Sequence, residues 1–274
     1  MANIFDFCTE RIEQNRAYRG KRFREGLVKL AKMKSVDYQT RPGHFSGKVS
    51  DKNTNETAFQ RALYSHSKII LFGDGHETPL TWRDIELPII LSKKSRRPCV
   101  DLIGQTSING TFCTFLCELK YAKPGTAPPG NAVDYAVFEA LLYYAIVNRD
   151  HALLHEQNVY RPPRPPKFSW KAVSDSRVIL VLANDNFWIP AQQYPNLERL
   201  RKLVKEVRQS LGIRVLLCST PNYTFCRPKG VIAERYGPEL VPCAEEVSAS
   251  FKILPTYRLV AFFDSNLSGL AITM

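Results

Sequence analysis

Along the chain, apolar positions fall into three kinds of run, and each predicts a different element. The first kind is a short block of consecutive apolar residues, as in Lys68–Gly73 (KIILFG), Arg177–Ala183 and Ile213–Cys218. Such blocks predict buried strands, because a strand covered on both faces has no polar side. The second kind recurs at helical spacing. Asn196–Leu211 is a basic amphipathic helix stopped by Gly212, and Asn55–Ser67 is a helix with Thr54 as its cap. Asn131, with Asp134 three residues on, opens a further helix expected to run to about Asn148. The third kind is a pair of strand-like runs, Cys99–Thr106 and Thr111–Tyr121, flanking Ser107-Ile108-Asn109-Gly110. Asn-Gly between two such runs predicts a hairpin, since both central residues of a type I′ turn need positive φ.

Between these runs the chain reads as connection. Tyr38–Asn53 is polar and carries Pro42, Gly43 and Gly47, as a linker would. A charged loop is expected after Gly73, then a short element over Ile85–Leu91. Pro124–Gly130 reads as a loop, and His151–Ala172, with Arg161-Pro-Pro-Arg-Pro-Pro, as a surface excursion with polyproline II character. Thr220–Met274 alternates short β-like runs with Pro and Gly. The order helix, strand, hairpin, helix, strand, helix, strand is that of an α/β fold. Its central antiparallel hairpin disfavours a purely parallel sheet.

Composition narrows the class. Of 274 residues, 44% are hydrophobic and 23% charged, which is globular. No apolar run approaches the roughly 18 residues of a membrane span, and the N-terminus lacks a signal-peptide pattern, so the expected location is the cytoplasm with no membrane partner. The seven Cys are scattered without a Cys-x-x-Cys pair, and read as reduced, mostly core residues rather than zinc ligands. Thirty-eight Lys and Arg against 26 Asp and Glu leave a net charge of +12, which favours a polyanionic partner. The excess concentrates in Thr9–Ser35, a basic helical stretch containing Arg19, Lys21, Arg22 and Arg24, and in the cluster Lys93, Lys94, Arg96 and Arg97. Both are candidate nucleic-acid contacts. The alternative for the first is a solvated helix with a modest apolar stripe.

The chemistry centres on the hairpin. With Asn109-Gly110 as its loop, Ile108 faces Thr111, and the same register carries Asp101 opposite Glu118. Directly opposed side chains have Cβ atoms roughly 4.5–5.5 Å apart, so the two carboxylates repel unless something neutralises them. A divalent cation does so, and carboxylate oxygens with a backbone carbonyl and water form the usual Mg²⁺ environment. Lys120, two residues beyond Glu118, shares its face and can reach a metal-bound water or a phosphate oxygen.

Asp101 followed by Glu118-Leu119-Lys120 on the next strand resembles the signature of the PD-(D/E)XK nuclease superfamily. The Pro of that motif stands apart from the Asp here, in Pro98-Cys99-Val100-Asp101. The resemblance spans roughly Thr54–Cys218 and implies a restriction-endonuclease-like core over residues 54–218. That core is a mixed sheet with a central antiparallel hairpin flanked by helices. A basic helical extension and linker (1–53) would precede it and a β-rich extension (219–274) would pack on it. The resemblance also implies a metal-dependent deoxyribonuclease using Mg²⁺ or Mn²⁺. Asp101, Glu118 and the Leu119 carbonyl would hold the metal, with Lys120 acting on the attacking water. It further implies an acidic residue near the metal at Glu56. Glu139-x-x-x-Tyr143 resembles the Gln-x-x-x-Tyr element of RecB-like and phage-exonuclease-like members, with Glu in place of Gln. The alternative is a catalytically inactive nucleic-acid-binding module with the same fold. DNA is the expected partner; RNA, self-association, and endonuclease versus exonuclease action stay open.

Other motifs carry less. His151 and His155 have the spacing of helical zinc ligands but no third ligand in context. Gly73-Asp74-Gly75-His76 lacks the Lys-Ser/Thr of a nucleotide loop, and no Gly-x-Ser-x-Gly supports an α/β-hydrolase.

Overall fold

The computed structural model of the chain describes residues 3–14, 25, 56–65, 69–73, 76–88, 99–108, 111–123, 125, 126, 128, 132–157, 168–220, 223–226, 239–242 and 257–262. Its elements are α1 (Ile4–Gln14), α2 (Glu56–Ser65), β1 (Ile69–Gly73), β2 (His76–Pro88), β3 (Cys99–Ile108) and β4 (Thr111–Lys120). Then follow α3 (Ala132–Gln157), α4 (Trp170–Ser176), β5 (Val178–Asn184), α5 (Asp185–Trp188), a 3-10 turn (Ile189–Gln192) and α6 (Asn196–Leu211). Strands β6 (Arg214–Thr220), β7 (Tyr223–Cys226), β8 (Glu239–Pro242) and β9 (Tyr257–Phe262) complete the described set.

The fold is α/β around a mixed sheet in the order β1-β2-β3-β4-β5-β6-β9. Strands β1 to β4 form an antiparallel meander; β5 pairs with β4, and β6 with β5, in parallel. From the C-terminal stretch, β9 pairs with both β6 and β1 and closes the order, while β7 and β8 form a separate two-stranded sheet. Central β5 (VILVLAN) is buried along its whole length, as its unbroken apolar run requires. Helix α6 buries Leu200, Leu203, Val204, Val207 and Leu211, one stripe at helical spacing. It ends where Gly212 adopts φ 67°, donating its N–H to the Arg208 carbonyl at 3.0 Å.

Two cores lie on the two faces of the sheet. Helix α3 joins α1, α6, Ile103, Leu116, Val181 and Ile213 on one. Helix α2 brings Phe59 and Leu63 to the other, against Leu102, Phe115, Leu119 and Leu182. So α2 and α3 approach the sheet from opposite sides. Cys8, Cys113, Cys117 and Cys218 are buried free thiols, as expected of reduced core residues. Among the described residues no helix is long and apolar enough to cross a membrane.

Four expectations are corrected. The segment after Gly73 is not a charged loop before a short element at 85–91: β2 occupies His76–Pro88. A bulge between Trp82 and Asp84 shifts its register, so buried Leu80 and Trp82 are even-numbered and buried Ile85 and Leu87 odd-numbered. That break hides the strand period from the sequence. Helix α3 runs on to Gln157 and so includes His151 and His155, where a loop was expected. Helix α4 likewise occupies part of the expected Pro-rich excursion, burying Trp170 and Val173. At the N-terminus the helix starts at Ile4, ahead of Thr9, because Phe7, Cys8 and Ile12 pack on the core. The basic residues Arg19, Lys21, Arg22, Arg24, Lys93, Lys94, Arg96 and Arg97 lie outside the described residues, as do the caps Thr54 and Asn131 and the hairpin tip Asn109-Gly110.

Candidate functional site

The hairpin keeps a constant register from Ile108 opposite Thr111 to Leu102 opposite Cys117. There the two strands stop pairing with each other, although both continue. Val100 and Cys99 stay paired with Leu87 and Pro88 of β2, and Glu118, Leu119 and Lys120 with Val181, Leu182 and Ala183 of β5. The sheet therefore forks at the next step of the register, where Asp101 and Glu118 stand. Asp101 and Glu118 thus flank a fork instead of forming one more ladder pair.

Side chains take over hydrogen bonding at the fork. The Leu119 N–H donates to Asp101 Oδ2 at 2.8 Å. Gln60 on α2 donates through Nε2 to the Asp101 carbonyl at 2.7 Å and to Oδ1 at 3.2 Å. On the far side of β4, buried Asn184 brackets Ala122, accepting its N–H at 2.9 Å and donating to its carbonyl at 2.8 Å. These contacts fix the backbone on either side of Lys120.

Lys120 Nζ lies 2.5 Å from Glu118 Oε1 and 3.1 Å from Glu139 Oε2 of α3. Tyr143, one turn along α3, donates its hydroxyl to Glu139 Oε1 at 3.1 Å. Glu56, at the start of α2, accepts the Tyr121 N–H at 3.3 Å. The fork is thus reached by α2 from one face and α3 from the other. It brings together Glu56, Asp101, Glu118, Lys120, Glu139 and Tyr143, residues the sequence singles out although they are spread along the chain from the start of α2 to the middle of α3. For Leu119 the group engaged with Asp101 is its N–H.

The electrostatics follow from crowding acids into a dry place. Burial is the main cause that raises the carboxyls of Glu56, Asp101 and Glu118, with neighbouring carboxylates adding to it. Asp101 is pushed up to about 7, and Glu118 well above the ordinary range. Lys120 moves the other way from what its burial demands. Desolvation lowers its pKa, but Glu118, Glu139, Glu56 and Asp101 outweigh it and hold the ammonium charged. Burial also leads in raising the Tyr143 hydroxyl, which keeps it a proton donor to Glu139.

Four carboxyl groups therefore act on one ammonium, and Glu118 Oε2 is buried without a hydrogen-bond partner among the described residues. An uncompensated buried oxygen among acids is the donor chemistry of a hard cation such as Mg²⁺ or Mn²⁺, so the residues present fit such an ion. As arranged here the acids gather about Lys120. Among the described residues no group of three or more acidic, His or Cys side chains is set to hold a metal ion as it stands.

Two contributors escaped the sequence reading. Gln60 sits four residues after Glu56 and so shares its helix face, a signal that was available. Asn184 closes the apolar run of β5, where a buried polar residue marks a needed partner. The His151 ring lies 3.2 Å from the Asn148 carbonyl of its own helix. No family model, no curated protein and no solved structure matches the chain.

Proposed function

We propose that the protein is a Mg²⁺- or Mn²⁺-dependent nuclease that hydrolyses DNA phosphodiester bonds. The observation that carries this reading is the fork at Asp101 and Glu118, with Lys120 between Glu118 and Glu139. The order α2, β2, β3, β4, α3, β5, with β5 parallel to β4, supports a restriction-endonuclease-like core around it.

Asp101 and Glu118 would hold the cation, with the Leu119 carbonyl and Glu56 at hand. When bound, the ion supplies positive charge for the scissile phosphate and lowers the pKa of water. The chain's own residues do the rest. The Leu119 N–H and the Gln60 amide orient the Asp101 carboxylate. Glu139, bonded in turn by the Tyr143 hydroxyl, holds Lys120 from α3. Because its neighbours keep Lys120 protonated, it serves as a charged donor that orients water and stabilises charge developing on phosphate oxygens. Attack of water on phosphorus forms one P–O bond and breaks another. By the family resemblance the product is expected to carry a 5′-phosphate.

Incubation of supercoiled, linear and single-stranded DNA with Mg²⁺ or Mn²⁺, followed by end analysis, tests this reading. Cleavage by the wild type that is lost with chelator and in Asp101→Asn is the expected result. DNA binding without cleavage under any of these conditions would instead identify a non-catalytic binding module.

A further inference from the structure

Gln60 is 4% exposed, on a helix face otherwise committed to apolar packing through Phe59 and Leu63. A buried carboxamide without partners is costly, so its position must be explained by what it bonds. Its Nε2 points to Asp101 twice, at 2.7 Å to the backbone carbonyl and at 3.2 Å to Oδ1. The other carboxylate oxygen, Oδ2, is taken by the Leu119 N–H at 2.8 Å. Both oxygens of one carboxylate are thereby anchored, one from α2 and one from β4. The backbone of the same residue is pinned by the same amide, at the point where β3 has lost its pairing with β4.

We propose that Gln60 is a positioning residue that sets the Asp101 carboxylate for a divalent cation, an inference that rests on the nuclease reading of the site. The geometry suits that role. An amide donor fixes carboxylate orientation without adding charge, so it steers the ligand and leaves its negative charge for the ion. A cationic side chain in its place would compete with the metal. A purely apolar one would leave the Asp101 carboxylate held by the Leu119 N–H alone, with the Lys120 charge acting on its other oxygen unopposed. Hydrogen-bond partners of this kind typically account for about 10–100-fold in metal affinity.

The test compares Mn²⁺ binding, by calorimetry on the full chain, in the wild type, Gln60→Met, Leu63→Val and Asp101→Asn, with melting temperature recorded for each. Gln60→Met keeps the side-chain length and removes both donated bonds. Leu63→Val loosens the packing of the same helix without touching the fork. The expected result is Mn²⁺ affinity weakened about 10–100-fold in Gln60→Met and unchanged within about twofold in Leu63→Val, whatever their losses in melting temperature. A purely structural Gln60 would make affinity follow melting temperature in both variants, and that pattern overturns the proposal. So does wild-type affinity in Gln60→Met alongside lost affinity in Asp101→Asn. Wild-type affinity in Asp101→Asn has a different meaning: it removes the metal reading of the fork itself, and the role of Gln60 with it.

Discussion

Lys120 on β4 and Glu139 on α3 meet at 3.1 Å, so the ammonium at the fork is held by a strand and a helix at once. Glu118 holds it from its own strand. This shared grip makes Lys120 the group through which β4 and α3 are electrostatically joined. Lys120→Ala is expected to reduce DNA cleavage on the order of 10²–10³-fold, the usual loss for one electrostatic group at a reacting phosphate. Mn²⁺ binding should be retained, because the carboxylates remain and lose a competing charge. Single-turnover cleavage together with Mn²⁺ calorimetry checks both halves. Wild-type cleavage in Lys120→Ala would remove Glu118-Leu119-Lys120 from the mechanism.

The Asp101 carboxyl titrates at about 7 in the folded chain against an ordinary 3.8, with burial the leading cause. Between those values the folded state keeps a proton that the unfolded state has released. The stability this contributes is complete below the ordinary carboxylate range and is lost as pH rises toward about 7. The metal-free protein should therefore lose more melting temperature across that window than Asp101→Asn does. Added Mn²⁺ should stabilise the wild type more above the window than below it, since the ligands must first give up their protons. Thermal melts over a pH series measure this, and parallel curves for the two proteins would contradict it.

Gly104 on β3 is packed between two rings. A Cβ placed there would lie 2.8 Å from Phe115 Cε2 and 3.0 Å from Trp82 Cζ3. Both rings are buried, so moving either one disturbs the core around it. Gly104→Ala should cost about 1–3 kcal/mol, as overpacking a filled core does. Urea denaturation reads this directly, and an unchanged midpoint would show that the rings can give way.

The basic stretch around Arg19, Lys21, Arg22 and Arg24 lies outside the described residues, and its role is tested through salt. If these side chains meet phosphates, changing all of them to Glu should weaken DNA binding and flatten the dependence of affinity on salt concentration. Fluorescence anisotropy over a salt series provides the slope. An unaltered slope would make the stretch a solvated surface.

What the sequence determined by itself was local. Two apolar runs around Asn109-Gly110 dictated the hairpin and its register down to Leu102–Cys117, because a two-residue loop leaves few ways to pair the strands. Helical spacing and Gly212 dictated α6 to the residue. The period of two put Lys120 on the face of Glu118, and the period of 3.6 put Tyr143 beside Glu139. Other features depended on packing. The bulge in β2 breaks a period that a reader must assume intact, and α3 extends through His151 and His155 with Leu154 buried against the core. The entry of β9 between β6 and β1 is a pairing between distant segments, which no local pattern specifies. The fork is the clearest case. The register places Asp101 and Glu118 opposite each other, but in the folded chain the backbone pairing of β3 with β4 ends one step earlier, while β3 keeps β2 and β4 keeps β5 as neighbours. Where that pairing ends, Gln60 of α2 bonds Asp101 and Glu139 of α3 meets Lys120, contacts between distant segments that no local pattern specifies.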